Sequence, residues 1–413
     1  ARPAIREKNS GMTNKVVITG LGSVCGLGEG VADFWEALCE GQTAIRPLTG
    51  FDDVKIKTGA RIENFHPGQH FPQDLLPLLD RFSQFAIVAA QEAVDDAGFS
   101  SEMNVLTGAA AIIGTGCGGK QTDEDTYRKI YKENRSRVHP LTIPKGMTSA
   151  AASNVSKQLG IRGPVFSVSS ACASGAHAVI QGRLMIQSGL VDVAIVGGTD
   201  APFTYGLLKA WESLRVVSDD TCRPFSKDRS GLVLGEGAGM LVLESGRHAI
   251  QRGARIYAEL AGCGMSSDAG HITRPDVTGI VRAINHAIDD AELDVKSVDY
   301  VNAHGTGTIA NDMAETEALH RAFGSHANHV AVSSTKSMHG HALGAASALE
   351  LVATVLAVYK NLIPPTANFT SAGEGCDLDY VPNTAREENV DVAVSNAFAF
   401  GGLNAVVALK SFI

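Results

Sequence analysis

Cys172 stands in Val165-Phe-Ser-Val-Ser-Ser-Ala-Cys172-Ala-Ser-Gly-Ala-His, after a short β-rich run (165–168) and before a helix-length segment closed by Gly189. Ala171, Ala173, Ser174, Gly175, Ala176 and Ala178 around it are all small. Such residues add little core volume and let backbone and substrate come close, so a site explains them better than packing. A cysteine in the first turn of a helix meets unpaired N–H groups and the positive end of the dipole, a setting that favours a thiolate nucleophile. A lone cysteine is by default a buried structural residue, so the reading depends on partners. His304 lies in Asn302-Ala-His304-Gly-Thr306-Gly-Thr308, at the C-terminal end of an expected strand, where open α/β sheets place ligands. His341 lies in Ser333-Ser-Thr-Lys336-Ser-Met-His339-Gly-His341, between a strand and an apolar helix. A fourth segment, Asn396-Ala-Phe398-Ala-Phe400-Gly401-Gly402-Leu-Asn404, reads as an exposed turn after a strand. The chemistry of the set is coherent. A thiolate can hold an acyl group. Neutral imidazole N–H groups can stabilise an enolate oxygen, and the backbone N–H groups of Cys172 and the Phe400 turn can form an oxyanion hole. Lys336 is expected to form a buried pair with Glu315. Glu350, on the apolar helix, must be paired or neutralised.

Alternating strands and helices must position these residues. The apolar pattern predicts strands at 15–19, 109–115, 165–168, 191–197 and 232–244, then at 256–265, 300–303, 330–334, 390–395 and 405–409. Helices are expected at 35–39, 80–97, 146–159, 277–290, 310–323 and 343–360, the last apolar nearly all round and so buried. The two sets echo each other, each with a glycine-flanked first strand and a strand–turn–small-residue–helix unit, at Cys172 and at His341. The expectation is an α/β fold of two mainly parallel sheets, duplicated and packed through their helices. The halves would be 15–255 with Cys172 and 256–413 with His304 and His341. Residues 1–14 read as a leader outside the fold.

Two glycine motifs fail on inspection. Gly20-Leu-Gly22-Ser-Val-Cys25 has a cysteine where a dinucleotide fingerprint needs its third glycine, and Gly114 to Gln121 lacks the Mg²⁺-binding hydroxyl of a phosphate loop. A dinucleotide oxidoreductase is therefore disfavoured. The 413 residues, 44% hydrophobic and 19% charged, are ordinary globular composition. A net charge of −9 disfavours nucleic acid as the main partner. No run of about 18 uninterrupted apolar residues suggests a membrane span. Seven scattered cysteines (25, 39, 117, 172, 222, 263, 376) with no CxxC pair point to a reducing, cytoplasmic compartment and away from a metal site.

SSACASGAH, VNAHGTGT, KSMHGH and FAFGGLN together resemble the signature segments of the elongating type II β-ketoacyl-acyl carrier protein synthases. The resemblance extends to GLVLGEGAGMLVLE, YAELAGCGMSSDA and EGCDLDYVP, and runs from about Lys15 to the C-terminus. It implies the thiolase-like αβαβα sandwich of duplicated βαβαβ layers, a dimer, and substrates borne on an acyl carrier protein's phosphopantetheine with no further cofactor. It implies Cys172 as the acyl-accepting nucleophile, with His304 and His341 promoting malonyl decarboxylation. Lys336 with Glu315, and beside them Asp312 and Glu350, would be supporting residues. Thr306, Thr308, Phe398, Gly401 and Cys117 would meet substrate, Phe400 would gate the nucleophile, and Arg137 and Arg215 would dock an acidic carrier. The chain departs from the common pattern at His339, Ala399, Leu403, Cys117, His66 and His70. These departures point to a specialised, long, rigid or polyenyl acyl chain in polyketide assembly, with ordinary fatty-acid elongation as the other reading. A non-catalytic or chain-length-setting partner subunit is the alternative, disfavoured by the presence of Cys172. The dimer is then a homodimer or a heterodimer with a related chain.

Overall fold

The computed structural model describes residues 15–99 and 106–412. The expected leader, 1–14, lies outside the described residues. Ten strands carry the fold. They are β1 (Val16–Cys25), β2 (Ala110–Gly114), β3 (Val165–Val168), β4 (Val193–Asp200) and β5 (Gly237–Ser245), then β6 (Ala258–Ser267), β7 (Tyr300–Asn302), β8 (Ala331–Ser333), β9 (Val392–Ala399) and β10 (Leu403–Lys410). Their spatial order is β3-β2-β4-β5-β1 followed by β6-β10-β9-β7-β8, so each strand of the first half has its counterpart five places later. This is the duplicated αβαβα arrangement.

Two expectations are corrected. Each half is mixed rather than mainly parallel: β3, β2 and β4 run parallel, while β5 and β1 are antiparallel to their neighbours. The second half repeats this. The two sheets also join, because β1 and β6 pair briefly at Val17–Glu259 and Ile18–Ala258.

Six helices matter here: α1 (Arg81–Asp96), α2 (Ala150–Leu159), α3 (Ser174–Gln187), α4 (Val277–Asp290), α5 (Ile309–Phe323) and α6 (Ala346–Lys360). Asp80 and Asp276 cap α1 and α4 through the N–H groups of Phe82 and Thr278. α1 and α2 cover the outer face of the first half, α4 and α5 that of the second, and α3 and α6 meet in the middle.

The glycines of the failed dinucleotide motif belong to β1, which runs on to Cys25 instead of turning at Gly20. A Cβ at Gly20 or Gly22 would meet the carbonyls of Ala93 or Ala89 at 2.0 and 1.9 Å, so these glycines let α1 lie close on the sheet. Gly262 and Gly264 of β6 do the same under α4, against Ala287 and Ala283 at 2.3 and 1.9 Å.

The residues after Cys172 are small for packing as well as for the site. A Cβ at Gly175 would meet the Ala348 Cβ and N at 2.9 Å, and the Ala176 N–H donates to Ser347 Oγ at 3.0 Å. Residues 346–358 of α6 are all buried. The 343–360 segment is the one described helix with the length and apolarity of a membrane span, and 89% of it lies inside the fold.

Candidate active site

Cys172 sits on a single 3₁₀ turn, Ala171–Ala173, that opens into α3. Ala171 has φ 50°, a left-handed conformation that costs a residue with a Cβ and is tolerated where the surroundings hold it. The helix-start position is as expected; the activated thiolate is not. Burial pushes the Cys172 thiol up to about 12, although the Lys336 charge and the N–H groups of Phe400 and Cys172 pull it down. Burial thus favours the neutral thiol over the thiolate at this position.

His304 and His341 are both buried, with rings 5.7 Å apart and nearly perpendicular. His304 follows β7. Its backbone is held by Glu315, which accepts the N–H groups of His304 and Gly305 at 2.8 Å each. His341 is held by the segment before β5: its N–H donates to the Val233 carbonyl at 2.7 Å, and its carbonyl accepts the Gly235 N–H at 2.9 Å.

The Leu343 N–H donates to His341 Nδ1 at 3.1 Å, so the ring proton of the neutral form is on Nε2. Lys336 Nζ lies 3.3 Å from His304 Nδ1 and 2.7 Å from the His304 carbonyl, which sets the same tautomer there. Burial, and then the Lys336 charge, hold both imidazoles well below the usual histidine range. Both rings are therefore neutral Nε2–H donors at neutral pH.

The expected Lys336–Glu315 pair is not formed. Lys336 is fully buried and pairs with Glu350 of α6. Glu315 is taken up by the His304–Gly305 backbone and by the Asn396 amide at 3.1 Å. Glu350 thus finds the partner its apolar helix required, and burial still pushes its carboxyl up to about 7. Asp312 supports the same loop, accepting the N–H of Phe225 at 2.7 Å and of Gly307 at 3.2 Å.

Cys172, His304 and His341 line one cavity of about 140 Å³, together with Thr306, Thr308, Phe398 and Phe400. The Thr306 and Thr308 hydroxyls are 2.9 Å apart. The segment expected as an exposed turn is mostly strand: Asn396 and Phe398 are buried in β9, and only 400–402 turn. Phe400 stacks on Trp211 at 6.1 Å.

Two expected substrate contacts are not on the cavity wall. Gly401 gives its N–H to the Ile272 carbonyl at 2.7 Å. Cys117 lies in the apolar cluster that also holds Trp211, Leu343 and Phe400. His339 is fully buried, with Nε2 3.0 Å from Thr335 Oγ1, and packs 6.1 Å from Phe34. Arg137 is exposed in the loop after residues 128–132, and Arg215, at φ 55°, caps a helix next to Val216 of the cavity wall.

Sequence reasoning missed Trp211 and the loop carrying Asp268, Ile272 and Arg274, all of which line the cavity. Tryptophan is rare in this chain, and that was the one signal for Trp211.

Residues 13–249 match the N-terminal domain of beta-ketoacyl synthases, and residues 257–370 match the C-terminal domain. Nodulation protein E of Rhizobium leguminosarum bv. trifolii is 50% identical over 97% of this chain and all of that protein. The 3-oxoacyl-[acyl-carrier-protein] synthase 2 of Synechocystis sp. is 41% identical over 96% of this chain and 98% of that protein. The solved ishigamide ketosynthase/chain length factor superposes with a TM-score of 0.90 at 36% identity, over 97% of this chain and 100% of that one. The thiol, the paired imidazoles and the duplicated sheet thus sit in a chain that belongs to the β-ketoacyl synthase family.

Proposed function

We propose that this chain is the catalytic ketosynthase of an acyl-chain elongation system, performing a decarboxylative Claisen condensation. The observation that carries the reading is the convergence of Cys172, His304 and His341 on one cavity. The Cys172 sulfur attacks the carbonyl of an acyl thioester borne on a carrier protein. The thiol proton passes to the departing carrier thiolate as the carrier's C–S bond breaks. The Cys172 and Phe400 N–H groups receive the carbonyl oxygen as it gains charge. A malonyl thioester then enters past Thr306 and Thr308. Loss of CO₂ leaves an enolate whose oxygen takes hydrogen bonds from His304 and His341 Nε2. Its carbon attacks the acyl–Cys172 carbonyl, the C–S bond breaks, and the Cys172 sulfur takes up a proton. The product is a 3-oxoacyl thioester two carbons longer. Every step is carried by side chains and backbone, and none calls on a further cofactor.

A carrier protein is the partner this chemistry requires, with Arg215 beside the cavity wall as one docking residue and Arg137 as another. A second ketosynthase-like chain is the other partner, identical or related. β3 is a sheet-edge strand whose residues are all half-buried, and Tyr127, Tyr131 and Ile143, in the segment between β2 and α2, are 56, 77 and 77% exposed. A free sheet edge and an exposed apolar stretch are each normally covered. Light scattering of the purified chain, alone and with a related chain lacking the cysteine, distinguishes a homodimer from a heterodimer. All seven cysteines are free, which fits a cytoplasmic location. A specialised acyl chain is supported over ordinary fatty-acid elongation by the departures at His339, Ala399 and Leu403; equal or better turnover of saturated chains would reverse that choice.

Intact-protein mass after incubation with acyl carrier proteins tests the central step. Wild type gains the acyl mass, and Cys172→Ala does not. Failure of wild type to gain mass with any chain, alone or with its partner subunit, would revive the non-catalytic reading.

A further inference from the structure

Asp200 ends β4, fully buried and outside the lining of the cavity. It has no ion-pair partner among the described residues. Donors take both of its oxygens instead. Oδ1 accepts Thr115 Oγ1 at 2.7 Å and the Cys117 N–H at 3.0 Å; Oδ2 accepts the Gly116 N–H at 2.8 Å and the Gly344 N–H at 2.6 Å. Thr115 Oγ1 itself accepts the Gly118 N–H at 3.0 Å, so its own hydrogen is free to point at Asp200. Four donors and no acceptor match the lone-pair sites of an ionised carboxylate. Taking that charge out of water without a cation is expensive, so its place in the fold calls for more than filled space.

The link to the site is the Gly344 N–H. Leu343, between His341 and Gly344, has φ 50°, a conformation that costs a residue with a Cβ. Its own N–H donates to His341 Nδ1 at 3.1 Å. The N–H groups of Leu343 and Gly344 belong to the two peptide planes that meet at the Leu343 Cα. Anchoring the second plane on Asp200 therefore fixes where the first one points. Gly198, two residues before Asp200 on the same strand, backs the turn: a Cβ there would lie 2.3 Å from the Gly344 carbonyl. Released from Asp200, Leu343 can relax to a negative φ, and that rotation turns its N–H away from the imidazole.

We infer that Asp200 is a positioning residue for His341: by holding the Leu343–Gly344 turn it keeps a backbone donor on Nδ1 and so the ring proton on Nε2, facing the enolate oxygen. This rests on the condensation proposed above. Asp200 touches neither substrate nor ring, and its effect on the reaction passes wholly through the turn.

The test reads the ring and the two half-reactions separately. In protein labelled with ¹⁵N-histidine, the His341 ring signals, assigned by their loss in His341→Ala, should show wild type protonated at Nε2 at neutral pH. In Asp200→Ala they should move toward a mixture of tautomers. The same variant should lower condensation by about tenfold, the size of one lost hydrogen bond, and leave the rate of Cys172 acylation unchanged. Should Asp200→Ala fail to fold, Gly344→Ala displaces the same hydrogen bond from its other end and carries the same expectations. Thr115→Val, which removes a donor from Oδ1 only, serves as the control: it should lower stability in urea and leave both the ring signals and condensation as in wild type. Unmoved His341 signals, or acylation and condensation falling together, would overturn the inference in favour of a purely structural carboxylate. Because the ring signals report the tautomer whether or not the chain condenses, a wild type that takes up no acyl group would sink the ketosynthase reading without deciding this one.

Discussion

At 171–174 and again at 343–346 the chain makes the same turn. A residue at φ 50° (Ala171, Leu343) leads into one 3₁₀ turn and then a long buried helix. Cys172 and Gly344 occupy the same place in the two turns. Around Cys172 the N–H groups of Cys172 and Phe400 pull the thiol down against the effect of burial. Around Gly344 the corresponding donor is taken. Asp200, fully buried, accepts the Gly344 N–H at 2.6 Å, with the N–H groups of Gly116 and Cys117 at 2.8 and 3.0 Å and Thr115 Oγ1 at 2.7 Å. Duplication built two anion cradles. A carboxylate of the chain fills one, and in the proposed mechanism the other receives the charge that develops on substrate. The helices differ in the same sense: α6 carries Glu350 where α3 carries Ala178, so the buried ion pair belongs to the half that holds the histidines.

The largest effect should come from breaking that pair. Lys336→Ala leaves Glu350 buried without a partner and should destabilise the fold by about 3–5 kcal/mol in urea denaturation. A Lys336→Met, Glu350→Leu double variant should regain most of this stability but not the condensation rate, because His304 Nδ1 loses its donor.

Next, His341→Ala should lower condensation by about a hundredfold to a thousandfold while Cys172 still takes up an acyl group, as followed by product assay and intact mass. Equal loss of both steps would refute the division of labour between the two halves. In wild type the condensation rate should show no imidazole ionisation near pH 6.5, because both rings are already neutral there.

A smaller loss separates the two turns directly. A Cβ at Gly344 would meet the Gly116 N at 2.4 Å and Asp200 Oδ2 at 2.7 Å, so Gly344→Ala should cost about 1–3 kcal/mol. Cys172→Ala, in the open cradle, should change stability far less.

The smallest expected effect is a slope. Burial raises Asp200 from 3.8 to about 6, so the folded state holds this proton more tightly than the unfolded chain. Its contribution is complete below about pH 4 and is lost as pH rises through about 6. Stability curves of wild type and Asp200→Asn over that window should differ by this slope; parallel curves would refute the assignment.

Much of the site was legible because its signals are local. A strand, a small-residue turn and a helix can be read from one stretch, and so can a histidine just past a strand. This placed Cys172, His304, His341, Thr306, Thr308 and Phe400 on what proved to be one cavity wall. The same local reading failed where glycine serves a distant helix. Gly20 and Gly22 look like a turn in sequence and are strand residues under α1. It failed again for the small residues after Cys172, whose packing partner is α6.

The amino-acid sequence by itself determined the duplicated α/β plan, the cysteine at a helix start and the two histidines, because each follows from patterns a few residues long. Only the tertiary structure decided which carboxylate meets Lys336, that burial keeps Cys172 a thiol, that Asp200 fills the second cradle, and that Trp211 and Arg274 border the first. These depend on which groups share a desolvated space and on which donors are already taken. Glu315 and Glu350 are both fully buried acids, and the backbone of the His304–Gly305 loop, by claiming the first, leaves Lys336 to the second.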